Sequence, residues 1–221
     1  MTPLLQTKFR QQRVYFNKMI AIIDYGVGNL FSLTSSFKKI GVDVVATADK
    51  EVIKSADKLI LPGVGAFADA IKKLRDSGLD KVIIDEAKNG KKIMGICLGM
   101  QLLFEKSYEY GEHDGLGLLK GKVAPMENRI PANLKIPHIG WNALDFKRDS
   151  EIFRYINNGD FVYFVHSFYA DECDDSAIAT SEYGAEITAA VQKENVYGCQ
   201  FHPEKSGSVG LNILKAFCET E

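Results

Sequence analysis

The sequence predicts a three-layer αβα domain of the α/β class, with helices on both faces of a mixed, largely parallel sheet. Three observations predict it. Short apolar runs alternate with stretches of helical periodicity through the first half of the chain. Those runs are apolar on nearly every residue rather than on alternate ones, as strands covered on both faces must be. The second half then changes to closely spaced strand-like runs with a hairpin signal, which adds an antiparallel portion.

Taken in order, MIAIID (19 to 24) opens the sheet, and Leu30, Leu33, Phe37 and Ile40 follow at helical spacing until Gly41, a C-terminal cap residue. VDVVA (42 to 46) and KLILP (58 to 62) are the next strands. Phe67, Ala70, Ile71 and Leu74 mark a helix that ends near Gly78, and Leu79, Val82, Ile83 and Ala87 mark another that ends at Asn89-Gly90. KIMGIC (92 to 97) is a strand joined directly to a helical segment expected over Leu98 to Lys106. The runs 115 to 126, 136 to 146, 161 to 170, 177 to 184 and 187 to 201 read as strands that extend the same sheet, with Glu194-Asn195 at a hairpin turn. Val209, Ile213, Leu214 and Phe217 give a closing helix.

No repeat and no Pro/Gly/Ser-rich linker divides residues 19 to 221, so one domain is expected there. Residues 1 to 18 carry Lys8, Arg10, Arg13 and Lys18 with no acid, and they lack the unbroken apolar stretch of a secretory signal. They read as an extension, an expression tail or an upstream start ahead of Met19.

Composition narrows the function. Of the 221 residues, 46% are hydrophobic and 25% charged, and the formal net charge is −2. That balance supports a large core and offers no basic surface for nucleic acid or an anionic membrane. No stretch approaches the roughly 18 apolar residues needed to span a bilayer. Cys97, Cys173, Cys199 and Cys218 are far apart, with no CxxC pair and no zinc spacing, so a reduced, cytoplasmic setting without a metal is expected.

The chemistry concentrates at Gly95-Ile96-Cys97-Leu98-Gly99. A small residue on each side of one nucleophile, between a strand and a helix, is the form of a nucleophile elbow. There the thiol lies near a helix N-terminus, and the Leu98 N–H points to where an oxyanion forms. The plain alternative is a buried structural cysteine between packing glycines. A thiol nucleophile needs a base, and the base needs an orienting group. His202-Pro203-Glu204 supplies both: the residue before proline favours extended backbone, which puts side chains two apart on one side. Leu61-Pro62-Gly63-Val64-Gly65-Ala66-Phe67 is the third piece, a strand exit whose Gly63, Val64 and Gly65 amides can approach a ligand.

Competing patterns are present. Gly63-x-Gly65-x-x-Ala68 matches a dinucleotide fingerprint with Asp85 twenty residues past Gly65. That reading needs Asp85 on a strand, whereas its neighbours follow helical spacing. His138 and His166 sit in strand-like runs and read as satisfied structural residues, His113 lies in a polar loop, and Trp141 and Tyr163-Phe164 read as core.

Together, GICLGMQLLFE, LPGVGAF, FVHSFYA and QFHPEKS resemble the class I glutamine amidotransferases from about Met19 to the C-terminus. DYGVGNL (24 to 30), KIPHIGWN (135 to 142) and HPEKS (202 to 206) resemble the glutaminase subunits of imidazole glycerol phosphate synthases within that family. The resemblance implies a flavodoxin-like fold and a Cys97, His202, Glu204 triad that hydrolyses glutamine without a cofactor. It implies substrate contacts from Gln101 and from the backbone of His166, Ser167 and Phe168, and oxyanion contacts from Leu98 and from Gly63 to Gly65. It also implies a (β/α)8-barrel cyclase partner that receives the ammonia, contacted by Asn29, Trp141 and Lys205. An amidotransferase subunit of another pathway, a nicotinamide-dependent oxidoreductase, a cysteine hydrolase and a silent binding module are the alternatives.

Overall fold

In the computed structural model, which describes residues 19–221, the apolar runs of the first half lie side by side as parallel strands. The extension at residues 1 to 18 lies outside the described residues. The chain runs β1 (Ile20–Ile23), α1 (Leu30–Lys39), β2 (Val44–Thr47), α2 (Lys50–Ser55), β3 (Lys58–Leu61), α3 (Phe67–Ser77), α4 (Leu79–Lys88), β4 (Lys92–Ile96) and α5 (Leu98–Gln101). There follow β5 (Phe104–Ser107), β6 (His113–Asp114), β7 (Leu119–Pro125), β8 (His138–Ala143), β9 (Asp145–Phe146), β10 (Phe161–His166) and β11 (Phe168–Asp171). β12 (Ala177–Glu182), β13 (Glu186–Lys193), β14 (Val196–Cys199) and α6 (Gly207–Glu219) complete it.

The main sheet has the order β2-β1-β3-β4-β14-β13-β12-β9, parallel from β2 to β14 and antiparallel beyond. Alternate strand residues feed two separate cores. Ile20, Ile22, Ile60, Met94 and Ile96 pack with Leu33 and Phe37 of α1 and with Ile213, Leu214 and Phe217 of α6. Ala21, Ile23, Leu59, Leu61 and Ile93 pack on the other face with Ile53 of α2, Ala70 and Leu74 of α3, and Ile83 of α4. Both faces are therefore dry, which is why the strands carry no polar alternation.

Three expectations are corrected. The helix after Cys97 stops at Gln101 instead of continuing to Lys106, because Phe104 to Ser107 form β5 and pair with β7. The later strands do not all extend the main sheet: β11-β7-β5-β6 and β10-β8 form two further sheets. Trp141 is 53% exposed on β8 rather than in the core, whereas Phe164 is fully buried. The short helix α2 had no periodic signal; Asp49 Oδ1 starts it by accepting from Glu51 N at 2.8 Å.

The strand order also decides which loops meet. β14 lies beside β4 with Cys199 opposite Ile96, and β3 lies on the other side of β4 with Leu61 opposite Gly95. The carboxyl ends of three adjacent parallel strands thus place residues 62 to 65, Cys97 and residues 200 to 204 together. Such strand ends are where α/β sheets bind ligands.

Candidate active site

Cys97 occupies φ 54°, ψ −113°, a left-handed conformation that a non-glycine residue holds only when its surroundings enforce it. The two flanking glycines do the enforcing. A Cβ on Gly99 would stand 1.8 Å from the Leu61 carbonyl oxygen, and one on Gly95 would stand 2.6 Å from the Gly99 oxygen. The elbow therefore packs backbone to backbone against the end of β3, and any side chain there would force it out. The Cys97 N–H donates to Cys199 O at 2.7 Å, which anchors the turn to β14. Leu98 is the first residue of α5, so its N–H has no partner within that helix.

His202 is 3% exposed and is fixed on several sides. Its N–H donates to Tyr163 O at 2.9 Å, and Ser206 Oγ donates to His202 O at 2.7 Å. The ring Nδ1 lies 2.8 Å from Glu204 Oε1. Only His202 is extended, at φ −100°; Pro203–Lys205 turn as a 3₁₀ helix, and this turn, not an extended dipeptide, brings the Glu204 carboxylate back to the ring. Burial pulls the His202 pKa down, but its hydrogen bonds to Cys97 and Glu204 and their charge outweigh burial and raise it to about 9. Interaction with both partners holds the imidazole in its protonated form. The Glu204 side chain is 4% exposed, and its Oε2 accepts no hydrogen bond among the described residues.

Cys97 and His202 open on a cavity of about 430 Å³, within the range that small-molecule ligands occupy. Cys97, Leu98, Gln101 and His202 form its floor, Val64 and Gly65 one wall, and Val165 to Phe168 another. Gly63 is buried instead, packed under the wall: a Cβ there would lie 2.7 Å from Gly99 N and 3.0 Å from Tyr25 Oη. Tyr25 holds this loop, since its hydroxyl donates to Pro62 O at 2.7 Å. Burial, and then the nearby Cys97, push the phenol's pKa up, so it remains a donor.

The wall at 166 to 168 is held by a buried polar chain. Gln101 Nε2 donates to Phe168 O at 3.1 Å, and His166 Nδ1 lies 2.8 Å from the same oxygen. A carbonyl only accepts, so His166 carries its hydrogen on Nδ1 and leaves Nε2 to accept from His138 Nδ1, 3.1 Å away. Burial pushes His166 down to about 3 and His138 down to about 4, so both rings are neutral at ordinary pH. The structural reading of these two histidines is right for His138. His166, though structural, also lines the cavity.

Sequence reasoning missed Glu109, Tyr110 and Gln200. Glu109 Oε2 accepts from Phe67 N at 2.5 Å, capping α3 where Ala66 provides no side-chain cap, and Glu109 also lines the cavity. Burial raises its pKa against the pull of that N–H. Gln200 is fully buried, and its Nε2 lies 3.8 Å from Cys97 Sγ. Tyr110 lines the cavity as well, and no local pattern marks any of the three.

The expected interface residues Asn29, Trp141 and Lys205 are exposed, and Lys205 lines the cavity. Asn29 also has a structural task, capping α1 by accepting from Ser32 N at 3.2 Å. Lys205 Nζ sits 5.8 Å from the Tyr163 ring, and Trp141 is paired with Tyr163 across β8 and β10. With Ile139 and Phe161, both more than half exposed, they make an apolar face beside the site. Asp85 lies on α4, not at a strand end, which removes the dinucleotide fingerprint's carboxylate. Among the described residues no group of His, Cys, Asp and Glu is arranged to hold a metal, and no helix is long and apolar enough to cross a membrane.

A family model described as glutamine amidotransferase class-I matches residues 21–220. The chain is 52% identical over 202 residues to the imidazole glycerol phosphate synthase subunit HisH of Caldanaerobacter subterraneus subsp. tengcongensis, covering 91% of this chain and 98% of that protein. Against the protein of that name from Bacillus subtilis the identity is 46% over 202 residues, covering 90% and 95%. Among solved structures, a glutamine amidotransferase aligns with a TM-score of 0.70 at 18% identity, covering 90% of this chain and 98% of that one. PurLQS from Thermotoga maritima aligns with a TM-score of 0.68 at 20% identity, covering 90% and 97%. At these low identities the structural likeness is one of fold.

Proposed function

The chain belongs to the class I glutamine amidotransferases, and from that premise we propose that residues 19 to 221 work as the glutaminase subunit of an imidazole glycerol phosphate synthase. The observation that carries the catalytic assignment is the strained Cys97 turn facing a buried His202 whose other nitrogen meets Glu204 at 2.8 Å.

Cys97 Sγ attacks the side-chain amide carbon of glutamine. The tetrahedral oxyanion is held by the Leu98 N–H and by an amide of the 63 to 65 loop. His202, held protonated, gives its proton to the departing nitrogen, so ammonia leaves and a glutamyl thioester remains. The same ring then takes a proton from water as the water oxygen attacks the thioester carbonyl; the C–S bond breaks, glutamate leaves, and the thiolate beside a protonated His202 is restored. Glu204 keeps the ring oriented and its cation stabilised. Gln101 and the backbone at 166 to 168 cradle the α-amino and α-carboxylate groups, and the Glu109 carboxylate gives the substrate's ammonium an opposite charge.

Ammonia released into bulk water is protonated and lost as a nucleophile, so a second subunit has to receive it. The apolar face of Trp141, Ile139 and Phe161, with Lys205 and Asn29 at its edge, is where a (β/α)8-barrel cyclase docks. The work takes place in the cytoplasm. The test is Cys97→Ala in the reconstituted complex. Glutamine-dependent synthesis stops, while synthesis from added ammonium salt continues; loss of both, or survival of glutaminase, contradicts the assignment.

A further inference from the structure

Gln200 is absent from every step above, yet it is fully buried and touches the reacting sulfur. Its orientation follows from the hydrogen-bond chain. Phe168 O can only accept, so the Gln101 atom 3.1 Å from it is the nitrogen. That nitrogen lies 3.0 Å from one end of the Gln200 amide, which must therefore be the oxygen. The Gln200 nitrogen is left facing Cys97 Sγ at 3.8 Å, and it can only donate.

We propose that Gln200 is a further functional residue of the glutaminase site: its amide donates to Cys97 Sγ and stabilises negative charge on the sulfur beside the protonated His202. The same chain ties the sulfur to Phe168 O, so the wall that receives substrate and the nucleophile share one polar network. The inference rests on the glutaminase reading and deepens it.

The titratable groups around the sulfur are His202 with Glu204 behind it, and Tyr25 beyond β1. Along the cavity they are Glu109, Tyr110, Lys205 and His166. None of them changes when Gln200 is replaced, so a shift in thiol reactivity reports the amide itself. Alkylation of Cys97 by iodoacetamide is followed against pH in the whole chain by peptide mass spectrometry, beside glutamine turnover in the complex. Cys173, Cys199 and Cys218 are buried with raised pKa values and serve as internal references.

In Gln200→Met, which keeps length and removes the donor, the alkylation midpoint moves up by about one pH unit, a roughly tenfold slower reaction below it. kcat falls with KM little changed. Gln200→Glu, which presents an acceptor of the same shape, moves the midpoint further up and decides the matter if the methionine variant does not fold. Superimposed profiles in the folded variants overturn the proposal, as does a raised KM with an unmoved profile, which marks a residue that merely supports Gln101. A wild-type chain that neither labels at Cys97 nor hydrolyses glutamine sinks the glutaminase reading instead, so the two failures are separable.

Discussion

Replacing Gly99 by alanine tests the elbow more sharply than replacing the nucleophile. The new Cβ would stand 1.8 Å from Leu61 O, 2.8 Å from Leu61 C and 3.1 Å from Pro62 C. A relaxed carbon–oxygen contact is about 3.3 Å, so elbow and strand must part by about 1.5 Å. β3 is clamped by β1 and β4 and cannot yield, so the displacement falls on residues 97 to 99. A misplacement of about 1 Å at a reacting centre can cost roughly 100-fold, and kcat for glutamine should fall by at least that factor. Overpacking of a buried site costs about 3 kcal/mol at the upper end of its usual range. For a chain of this length that lowers Tm by about 6–12 °C. Gly90→Ala is the control, because a Cβ there meets no atom within 4 Å and only the positive φ of 87° is strained. Calorimetry and glutamate release in the complex read the two effects. A Gly99→Ala protein with kcat within about threefold of wild type and Tm within about 2 °C would show that the steric account of the turn is wrong.

Glu204→Gln puts an amide in place of the carboxylate that meets His202 Nδ1 at 2.8 Å, so it removes the stabilised cation and disturbs the tautomer. kcat should fall by about 10²- to 10⁴-fold with KM nearly unchanged, and a loss confined to KM would contradict the role. The His202 pKa is raised from 6.5 to about 9 on folding, so its protonated form favours the native state: this contribution is complete below pH 6.5 and is lost as pH rises through about 9. Urea unfolding of wild type and His202→Gln should show a stability difference that shrinks between those limits; a difference that grows would refute the linkage. Lys58, 3% exposed, donates to the carbonyls of Phe217, Cys218 and Thr220 and so closes the end of α6. Lys58→Met leaves those oxygens short of a donor, costing about 2–4 kcal/mol and lowering Tm by about 5–15 °C. Because Lys58 starts β3 and the site lies beyond its other end, kcat at 25 °C should hold, and calorimetry with a kinetic assay checks both.

What was legible in the sequence was local. GICLG announces the elbow because only residues without a Cβ fit where two backbones touch, and the strands beneath it are legible because a sheet dry on both faces has no polar alternation. Misreadings came where the same apolar signal serves two structures. Leu102, Leu103 and Phe104 are all buried between the sheets, and nothing in such a run distinguishes a continuing helix from the strand that forms. Trp141 reads as core from the habits of its residue type, but on β8 it faces outward.

The sequence by itself determined the turn at Cys97 and the helices and strands that carry the candidate residues, since each depends on the sterics and periodicity of neighbouring residues. Only the tertiary structure decided that β14 docks beside β4, in a register about a hundred residues apart along the chain. From that one long-range pairing follow the meeting of Cys97 with His202 and the place of Gln200 beside the sulfur, while the separate pairing of β5 with β6 and β7 carries Glu109 to the cavity. A buried glutamine or glutamate has no periodic or steric signature in the chain; its function arises from what the fold brings to face it.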